Sequence, residues 1–250
     1  MLYGFRSRPR VRDSGRIAAL TVLLTLALLG PGLAQSPLSD SPSPNLHDVL
    51  AGMDQAAAGF SSVTADLEYT KVTVIVDDHS TETGKIYFEK SSGKPRVMLA
   101  FLDPAEKYVL FAEGNVSIYR PKIALIEEYA VANNQGLIEQ FLLLGFGTSG
   151  SDLEENYQVS LKGDEILDGD LAVLLELVPK NSDVSAKLQR IELWLSPKTW
   201  QPLQQKFYEP SKDYLTARYR NIQHNTKLSG KNFEFPVQGK VRTVRPQSGN

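Results

Sequence analysis

The sequence of 250 residues contains no cysteine and only three histidines. Disulfides, thiolate zinc sites, iron–sulfur clusters and thiol nucleophiles are therefore excluded. His47, His79 and His224 leave little material for a histidine metal site. The formal net charge is −2, so the chain lacks the basic field that holds nucleic acid. These absences predict a protein with no cofactor, no metal site and no nucleic-acid partner.

The N-terminus has the layout of an export signal. Five arginines precede an apolar run over residues 17–29 that is too short to span a bilayer comfortably. A Gly-Pro-Gly sequence at 30–32 ends the run, and Ala34 offers a small residue before the cleavage point. The pattern predicts a cleavable secretory signal over residues 1–34, with an uncleaved membrane anchor as the alternative. We therefore expect a mature protein outside the cytoplasm.

The rest of the chain changes from helical to alternating periodicity. Residues 35–45 are rich in Ser and Pro and predict a disordered spacer. Apolar residues at helical spacing then predict an amphipathic helix over 46–58, with Asn45 as its N-cap. Alternating apolar and polar residues predict about eleven antiparallel strands after it. The predicted strands are 64–76, 82–90, 95–102, 107–112, 115–120, 123–131, 157–163, 171–178, 188–195, 202–209 and 213–222, with a possible edge strand within 237–244.

One apolar segment interrupts the strands. Residues 136–144 predict an apolar helix flanked by glycines, and a short helix is predicted at 151–155. The first helix is either ordinary core or a lid that moves as a unit between its glycines. The predicted lid residues are Leu137, Ile138, Phe141, Leu142 and Leu144.

A single antiparallel sheet of this length has to curl or close, and the helices are too few to fill its concave face. The predicted fold is therefore α+β and mainly antiparallel β: an incomplete, half-open β-barrel with an apolar cavity, formed by residues 46–250. The strands between 96 and 112 are apolar on both faces, so their parity stays open. The predicted cavity-lining residues are Leu67, Tyr69, Val74, Ile86, Phe88, Val97, Leu99, Phe101, Val109, Phe111 and Ile118.

Two patterns that suggest other chemistry are not supported by their context. Residues 145–150 spell G-x-G-x-x-G, but a predicted helix precedes them and the next strand follows too closely for a crossover helix. A flexible glycine loop is the better interpretation. Asp77, Asp78, His79 and Glu82 fall at a predicted hairpin turn, where such residues bond locally. No nucleophile elbow or grouped nucleophile and base occurs, so we predict no catalytic residue and no enzyme.

Several loose motifs together carry a family resemblance. They are Phe60–Leu67, Gly84–Lys90, Pro95–Pro104, Glu113–Pro121, Leu175–Lys180, Ile191–Leu195, Pro202–Leu203 and Phe233–Pro236. In this order and spacing the chain resembles, over about residues 46–245, the LolA-type outer-membrane lipoprotein carriers and their lipoprotein-sorting relatives.

The resemblance implies a monomeric periplasmic carrier that binds lipoprotein acyl chains and delivers them to the outer membrane. Its implied partners are an inner-membrane release complex and an outer-membrane receptor. It also implies an arginine after the second strand that locks the lid. The matching places here are Lys90 and Arg96, and lysine lacks the planar fork of arginine. The alternatives are a binder or transporter of another lipid, and an envelope module that senses lipid or lipoprotein. Such a module would need a second partner-binding domain, for which we expect no room in this chain.

Overall fold

The computed structural model describes residues 44–91, 94–130 and 144–246. The chain divides into two units, Met1–Ser41 and Pro42–Asn250, and only the second contains described residues. The predicted signal and most of the predicted spacer therefore lie outside the described residues, as do Leu137, Ile138, Phe141 and Leu142 of the predicted lid.

The described chain contains three α-helices and twelve strands. The helices are α1 Leu46–Ala58, α2 Gly150–Asn156 and α3 Ser182–Ser185, and 3₁₀ turns occupy Val74–Val76, Pro121–Ile123 and Gly230–Phe233. The strands are β1 Ser62–Thr73, β2 Asp78–Ser91, β3 Lys94–Asp103, β4 Lys107–Ala112, β5 Asn115–Arg120, β6 Leu125–Ala130, β7 Tyr157–Leu167, β8 Asp170–Pro179, β9 Arg190–Leu195, β10 Pro202–Tyr208, β11 Tyr214–His224 and β12 Arg242–Val244.

All twelve strands form one sheet, in the order β12-β6-β5-β4-β3-β2-β1-β11-β10-β9-β8-β7. Every described pairing is antiparallel except the parallel pairing of β12 with β6. β7 and β12 stand at opposite edges, so the sheet is open, and the predicted mainly antiparallel, half-open fold is confirmed. β1 pairs with β11 in the middle of the sheet, which brings the two halves of the chain together.

Two strand predictions are corrected. β1 ends at Thr73, three residues before the predicted end, because Val74–Val76 forms a 3₁₀ turn closed by Asp77 in the left-handed conformation (φ 50°). The twelfth strand is shorter than the predicted segment 237–244 and covers only Arg242–Val244. The first region is apolar and the second mixes apolar and polar residues. In such segments the periodicity of apolar residues does not show where a turn begins.

α1 begins and packs as its sequence dictates. The Asn45 side chain accepts a hydrogen bond from the Asp48 N–H at 3.1 Å, and the Asp48 carboxylate accepts one from the Asn45 N–H at 3.4 Å. This capping box satisfies two of the helix's unpaired N–H groups. Val49 and Met53 are completely buried against one face of β7–β10, which we call the inner face. The first core cluster comprises Val49, Met53, Leu144, Leu153, Tyr157, Val173, Leu175, Leu177, Leu188, Ile191, Leu193, Leu195 and Phe207.

A second core cluster continues along the inner face onto β1–β3. Residues directly opposite in paired strands share a face, and Leu193 of the first cluster lies opposite Gln205, which lies opposite Ala217. The second cluster comprises Phe60, Val63, Ala65, Leu67, Ile86, Phe88, Val97, Leu99, Phe101, Phe146, Ala217 and Tyr219.

The outer face of β3 is also covered. Met98, on the face opposite to Val97, is 2% exposed. The C-terminal segment packs on this side: the Phe235 ring lies 5.5 Å from that of Tyr119, and Phe233 is buried. β3 is therefore apolar on both faces because both faces are packed, which resolves the parity that the alternation left open.

Gly84 of β2 permits close approach of β3. A Cβ at this position would collide with the backbone carbonyl of Ala100, which cannot shift without disturbing the β2–β3 pairing. We expect Gly84→Ala to lower the free energy of unfolding by roughly 1–3 kcal/mol, measured by denaturant titration. Gly59→Ala is the control, because a Cβ there meets nothing within 4 Å. Equal stability of the two variants would contradict the proposed steric conflict.

His224 near the end of β11 makes stability depend on pH. Burial lowers the pKa of its imidazole below the ordinary value of 6.5, so the unfolded chain binds the proton more readily than the folded one. Its contribution to stability is complete above about pH 6.5 and is lost progressively as the pH falls below that value. We expect His224→Gln to flatten the loss of melting temperature between about pH 7 and pH 5. The exposed His79→Gln is the control, and an unchanged slope in His224→Gln would exclude this histidine as the cause.

Candidate functional site

A cavity of about 240 Å³ lies on the inner face between the two core clusters. It is lined by Leu67, Tyr69, Ile86, Leu99, Lys187, Leu188, Gln205, Phe207, Glu209, Leu215, Ala217 and Tyr219. The lining comes from β1, β2, β3, β10 and β11, from the β10–β11 turn and from the segment after α3. Its walls are therefore mostly aliphatic and aromatic, as in sites that hold apolar ligands.

Apart from Val74, the predicted lining residues divide into two groups. Leu67, Tyr69, Ile86 and Leu99 line the cavity. The others that share its face lie beside it: Phe88, Val97 and Phe101 are buried in the second cluster, Val109 and Phe111 pack against that cluster, and half-buried Ile118 lies opposite Val109.

The prediction that Val74 lines the cavity is corrected. Val74 lies in the 3₁₀ turn beyond β1 and is 45% exposed, so it does not line the cavity. Alternation from Leu67 and Tyr69 also assigns Val74 to the opposite face of β1, and the 3₁₀ turn ends that alternation.

The cavity wall formed by β10 and β11 is absent from the sequence prediction. Gln205, Phe207, Leu215, Ala217 and Tyr219 supply it. Their two-residue spacing within predicted strands was a usable signal, since Gln205/Phe207 and Leu215/Ala217/Tyr219 each occupy one face. The pairing of β1 with β11, across about 150 residues of sequence, was not readable from that spacing.

A polar network crosses the apolar inner face. The Tyr219 hydroxyl donates to Gln205 Oε1 at 2.8 Å, and Gln205 Nε2 donates to the backbone carbonyl of Leu144. Gln205 is 1% exposed, and burial raises the pKa of the Tyr219 hydroxyl above its ordinary range. The network therefore fixes the chain at Leu144, the last residue of the predicted lid, onto the middle of the sheet.

The glycine loop that follows is buried and held. Phe146 is 2% exposed, and its ring lies edge-on to Tyr219 at 4.9 Å. Gly147 N–H donates to Gln201 Oε1 at 3.2 Å. Gly145 and Gly147 have φ of 87° and 63°, a region that favours glycine. The interpretation of this loop as flexible is wrong: the glycines serve left-handed turns and close packing against Pro202 and Phe60.

One end of the cavity carries polar groups. Lys187 and Glu209 in the lining are exposed, and both lie at the end of the strands where β10 ends and β11 begins. Toward this end the Tyr69 ring packs edge-on to the Phe101 ring at 5.7 Å, and burial raises the pKa of the Tyr69 hydroxyl to about 12. Lys107 binds Glu82 at 2.6 Å and lies 4.4 Å from the Phe101 ring centroid. The cavity thus combines an apolar interior with a charged rim.

The two lid-control candidates lie differently. Arg96 points to the outer face, away from the cavity: it pairs with Glu89 and lies 4.3 Å over the Phe233 ring. Lys90 is exposed and lies opposite Pro95, on the face of β2 that alternation from Phe88 assigns to the inner side. Lys90 remains the candidate of the two.

The acidic hairpin turn bonds locally. His79 Nε2 and Asp77 Oδ1 are 3.1 Å apart. Within residues 44–91, 94–130 and 144–246, no three His, Asp or Glu side chains gather as they would around a metal ion. Over the same ranges no helix has the length and apolar character needed to span a membrane.

Comparison with known proteins places the fold. A scan against protein-family models finds no match, and a search of curated proteins finds none either. Among solved structures, the crystal structure of MucB matches 78% of this chain with a TM-score of 0.51 and 18% identity. The chain shares the fold of MucB. It covers 64% of the length of the MucB structure, a little under two thirds.

Other matched structures include the MucA/MucB complex of Pseudomonas aeruginosa, with 20% identity, a TM-score of 0.47, and coverage of 80% of this chain and 64% of that one. A LolA superfamily protein from Nitrosomonas europaea matches with 14% identity, a TM-score of 0.36, and coverage of 77% and 99%. The open, mainly antiparallel sheet of this chain agrees with the half-open fold that the resemblance to LolA-type proteins implied.

Proposed function

We propose that this protein is a periplasmic carrier that shelters the acyl chains of lipoproteins in its inner-face cavity and delivers them to the outer membrane. The observation that supports this proposal is the apolar cavity between the two core clusters, with Leu67, Ile86, Leu99 and Ala217 in its wall. An acyl chain is the ligand whose shape and chemistry suit such a space, since it is long, flexible and has no hydrogen-bonding group.

The wall supplies affinity without a specific polar contact. Transfer of a methylene from water to an apolar site is worth about 0.8 kcal/mol, so a single chain of several methylenes gives substantial binding. The buried polar side chain in the wall, Gln205, already bonds Tyr219 and Leu144. It therefore presents no unmet hydrogen-bonding demand that would oppose an apolar ligand.

Delivery would use the parts that the resemblance implies. Export through the signal at 1–34 would place the carrier in the periplasm, between an inner-membrane release complex and an outer-membrane receptor. The segment 136–144 would act as the lid, anchored at its end by the Gln205 bond to Leu144. Release then requires a lid movement or a receptor that binds the chains more tightly.

The test is native mass spectrometry of the protein purified from its own envelope, with lipid extraction alongside. We expect co-purified lipid or acylated protein, which identifies the cargo. A clean apo mass, with no uptake of an added acylated peptide or phospholipid, would overturn the carrier proposal. Phospholipid alone in the extract would point instead to a carrier of another lipid.

A second candidate is an envelope module that senses lipid or lipoprotein. It is favoured by the shared fold with MucB, a protein whose structure has also been solved in complex with MucA. Such a module would hold a protein partner stably, whereas a carrier would exchange its cargo. Crosslinking in the envelope separates the two: a single stoichiometric protein partner supports sensing, and transient adducts to several acylated proteins support carriage.

A further inference from the structure

The hairpin between β1 and β2 presents three apolar side chains to solvent. Val74, Ile75 and Val76 are 45%, 86% and 68% exposed. We call these three residues the apolar tip. Isolated exposed aliphatic residues are ordinary on a protein surface, but three in succession at the end of a hairpin form a patch that projects from the fold.

The tip is a 3₁₀ turn held by specific hydrogen bonds. In a continuing strand, alternation from Tyr69 would direct Ile75 toward the inner face, whereas Ile75 is 86% exposed. The 3₁₀ turn abolishes that alternation. Its geometry is held by Asp213, whose carboxylate accepts a hydrogen bond from the Val74 N–H at 2.9 Å, and by the Asp77 N–H bond to the Val74 carbonyl at 3.3 Å.

Strand register places the tip at the charged end of the cavity. β1 runs from Leu67 and Tyr69 in the cavity wall toward the tip, and Val72 lies opposite Tyr214, where β11 begins. Glu209 and Lys187 of the cavity rim lie at this same end of the strands.

Another exposed aliphatic residue, outside the tip, lies at the same end of the strands. Ile123, 61% exposed, lies in the 3₁₀ turn between β5 and β6. The β5–β6 turn and the tip are separated by β3 and β4. The strands that precede them, β5 and β1, run in the same direction, so both turns lie at the same end of the strands.

We propose that the apolar tip inserts into the hydrocarbon layer of a lipid bilayer and so brings the charged end of the cavity to the membrane surface. This goes beyond the proposed function, which concerns what the cavity holds and not what the fold docks on. Three aliphatic side chains bury on the order of 300 Å², far below the roughly 1,200 Å² of a stable protein interface. A narrow convex patch suits a fluid layer that closes around it, and it is too small to hold a second copy of the chain.

The charges around the tip indicate which membrane it suits. Asp77, whose side chain is 95% exposed, and the exposed Asp78 follow the tip directly, and Asp213 supports it. Exposed Lys71 and Lys122 at the same end of the strands offset these carboxylates, so the tip lacks the cationic excess that would attract an anionic surface. Insertion is therefore driven by apolar burial into a neutral lipid surface, and we expect it to be insensitive to salt.

The absence of cysteine allows a site-specific test in the whole protein. Ile75→Cys is labelled with the environment-sensitive dye NBD and mixed with phosphatidylcholine vesicles. We expect several-fold higher emission, a blue shift, and quenching by spin labels placed on the acyl chains. Ile166→Cys, labelled in the same way, is the matched control. Ile166 is 69% exposed on the β7–β8 hairpin, which lies at the opposite end of the strands from the tip. A probe at one residue separates tip insertion from any vesicle binding by the N-terminal segment.

A second variant tests whether burial drives the insertion. Adding Val76→Asp to the labelled Ile75→Cys protein should weaken insertion at least tenfold without changing the melting temperature, since Val76 is 68% exposed. Several outcomes would overturn the proposal: no change at position 75, equal changes at 75 and 166, insertion only with anionic lipid, or concentration-dependent dimers that Val76→Asp abolishes. Uptake of a free fatty acid by the Val76→Asp protein separates the two proposals, since that uptake depends on the cavity alone.

Discussion

Ala217→Phe should abolish most acyl-chain binding while the protein stays folded. Ala217 lies in the wall of the cavity of about 240 Å³, between Gln205 on β10 and Tyr69 on β1. A phenyl ring at this position projects into the space that a ligand would occupy. Excluding three or four methylenes removes about 3 kcal/mol of burial, which is roughly a hundredfold in affinity.

The measurement is a titration with dansylamino-undecanoic acid, a fluorescent fatty acid, together with thermal melts of each variant. A graded series of Ala217→Val, Ala217→Leu and Ala217→Phe should lose affinity in the order of added volume. Leu67→Met is the matched control, because it keeps the volume of another wall residue. Affinity that is indifferent to the size of residue 217 would show that the ligand binds elsewhere.

Gln205→Leu should be the most destabilising single change in the cavity wall. The leucine fits the space but removes both hydrogen bonds of the network, leaving the buried hydroxyl of Tyr219 and the carbonyl of Leu144 without their partner. Each of the two orphaned buried groups costs about 1–3 kcal/mol, and the buried leucine offsets part of that sum, so we expect a loss of roughly 2–4 kcal/mol of unfolding free energy. For a domain of this size that lowers the melting temperature by roughly 5–15 °C.

Adding Tyr219→Phe to Gln205→Leu should recover about 1 kcal/mol, because it deletes one of the two orphaned groups. Gln204→Leu is the matched control: Gln204 is the neighbouring glutamine on the outer face of β10 and is half-buried. Its effect should stay within about 0.5 kcal/mol. Comparable losses in Gln204→Leu and Gln205→Leu would show that the network contributes nothing specific.

Local elements were predictable because their causes are local. The helix 46–58 was predicted with its observed bounds, since Asn45, Asp48 and the apolar stripe lie within one short segment. Most strands of the meander were also found within a few residues, because alternation and turn residues are short-range signals. The failure at Val74–Val76 has the same origin: an apolar turn carries no polar residue to mark it.

The candidate site was predictable only in its N-terminal half. Leu67, Ile86 and Leu99 were found from the alternation of single strands. Gln205 was missed because a glutamine in a strand is usually solvent-facing. Here its side chain is 1% exposed and hydrogen-bonds to Tyr219. Arg96 was a lid-control candidate while the parity of β3 was open; the register of β3 with β2 places it opposite Glu89 on the outer face, over Phe233.

The class of fold, the open antiparallel sheet and the excess of apolar surface over helices to cover it are already present in the amino-acid order. They follow from composition and from periods of two and 3.6 residues, which act over a few residues at a time. The position at which that surface becomes a cavity depends on long-range contacts. The pairing of β1 with β11 puts Leu67 beside Tyr219, and it sets the Gln205 network against the end of the lid segment. Such contacts depend on which strands meet across the whole chain, and no local pattern specifies them.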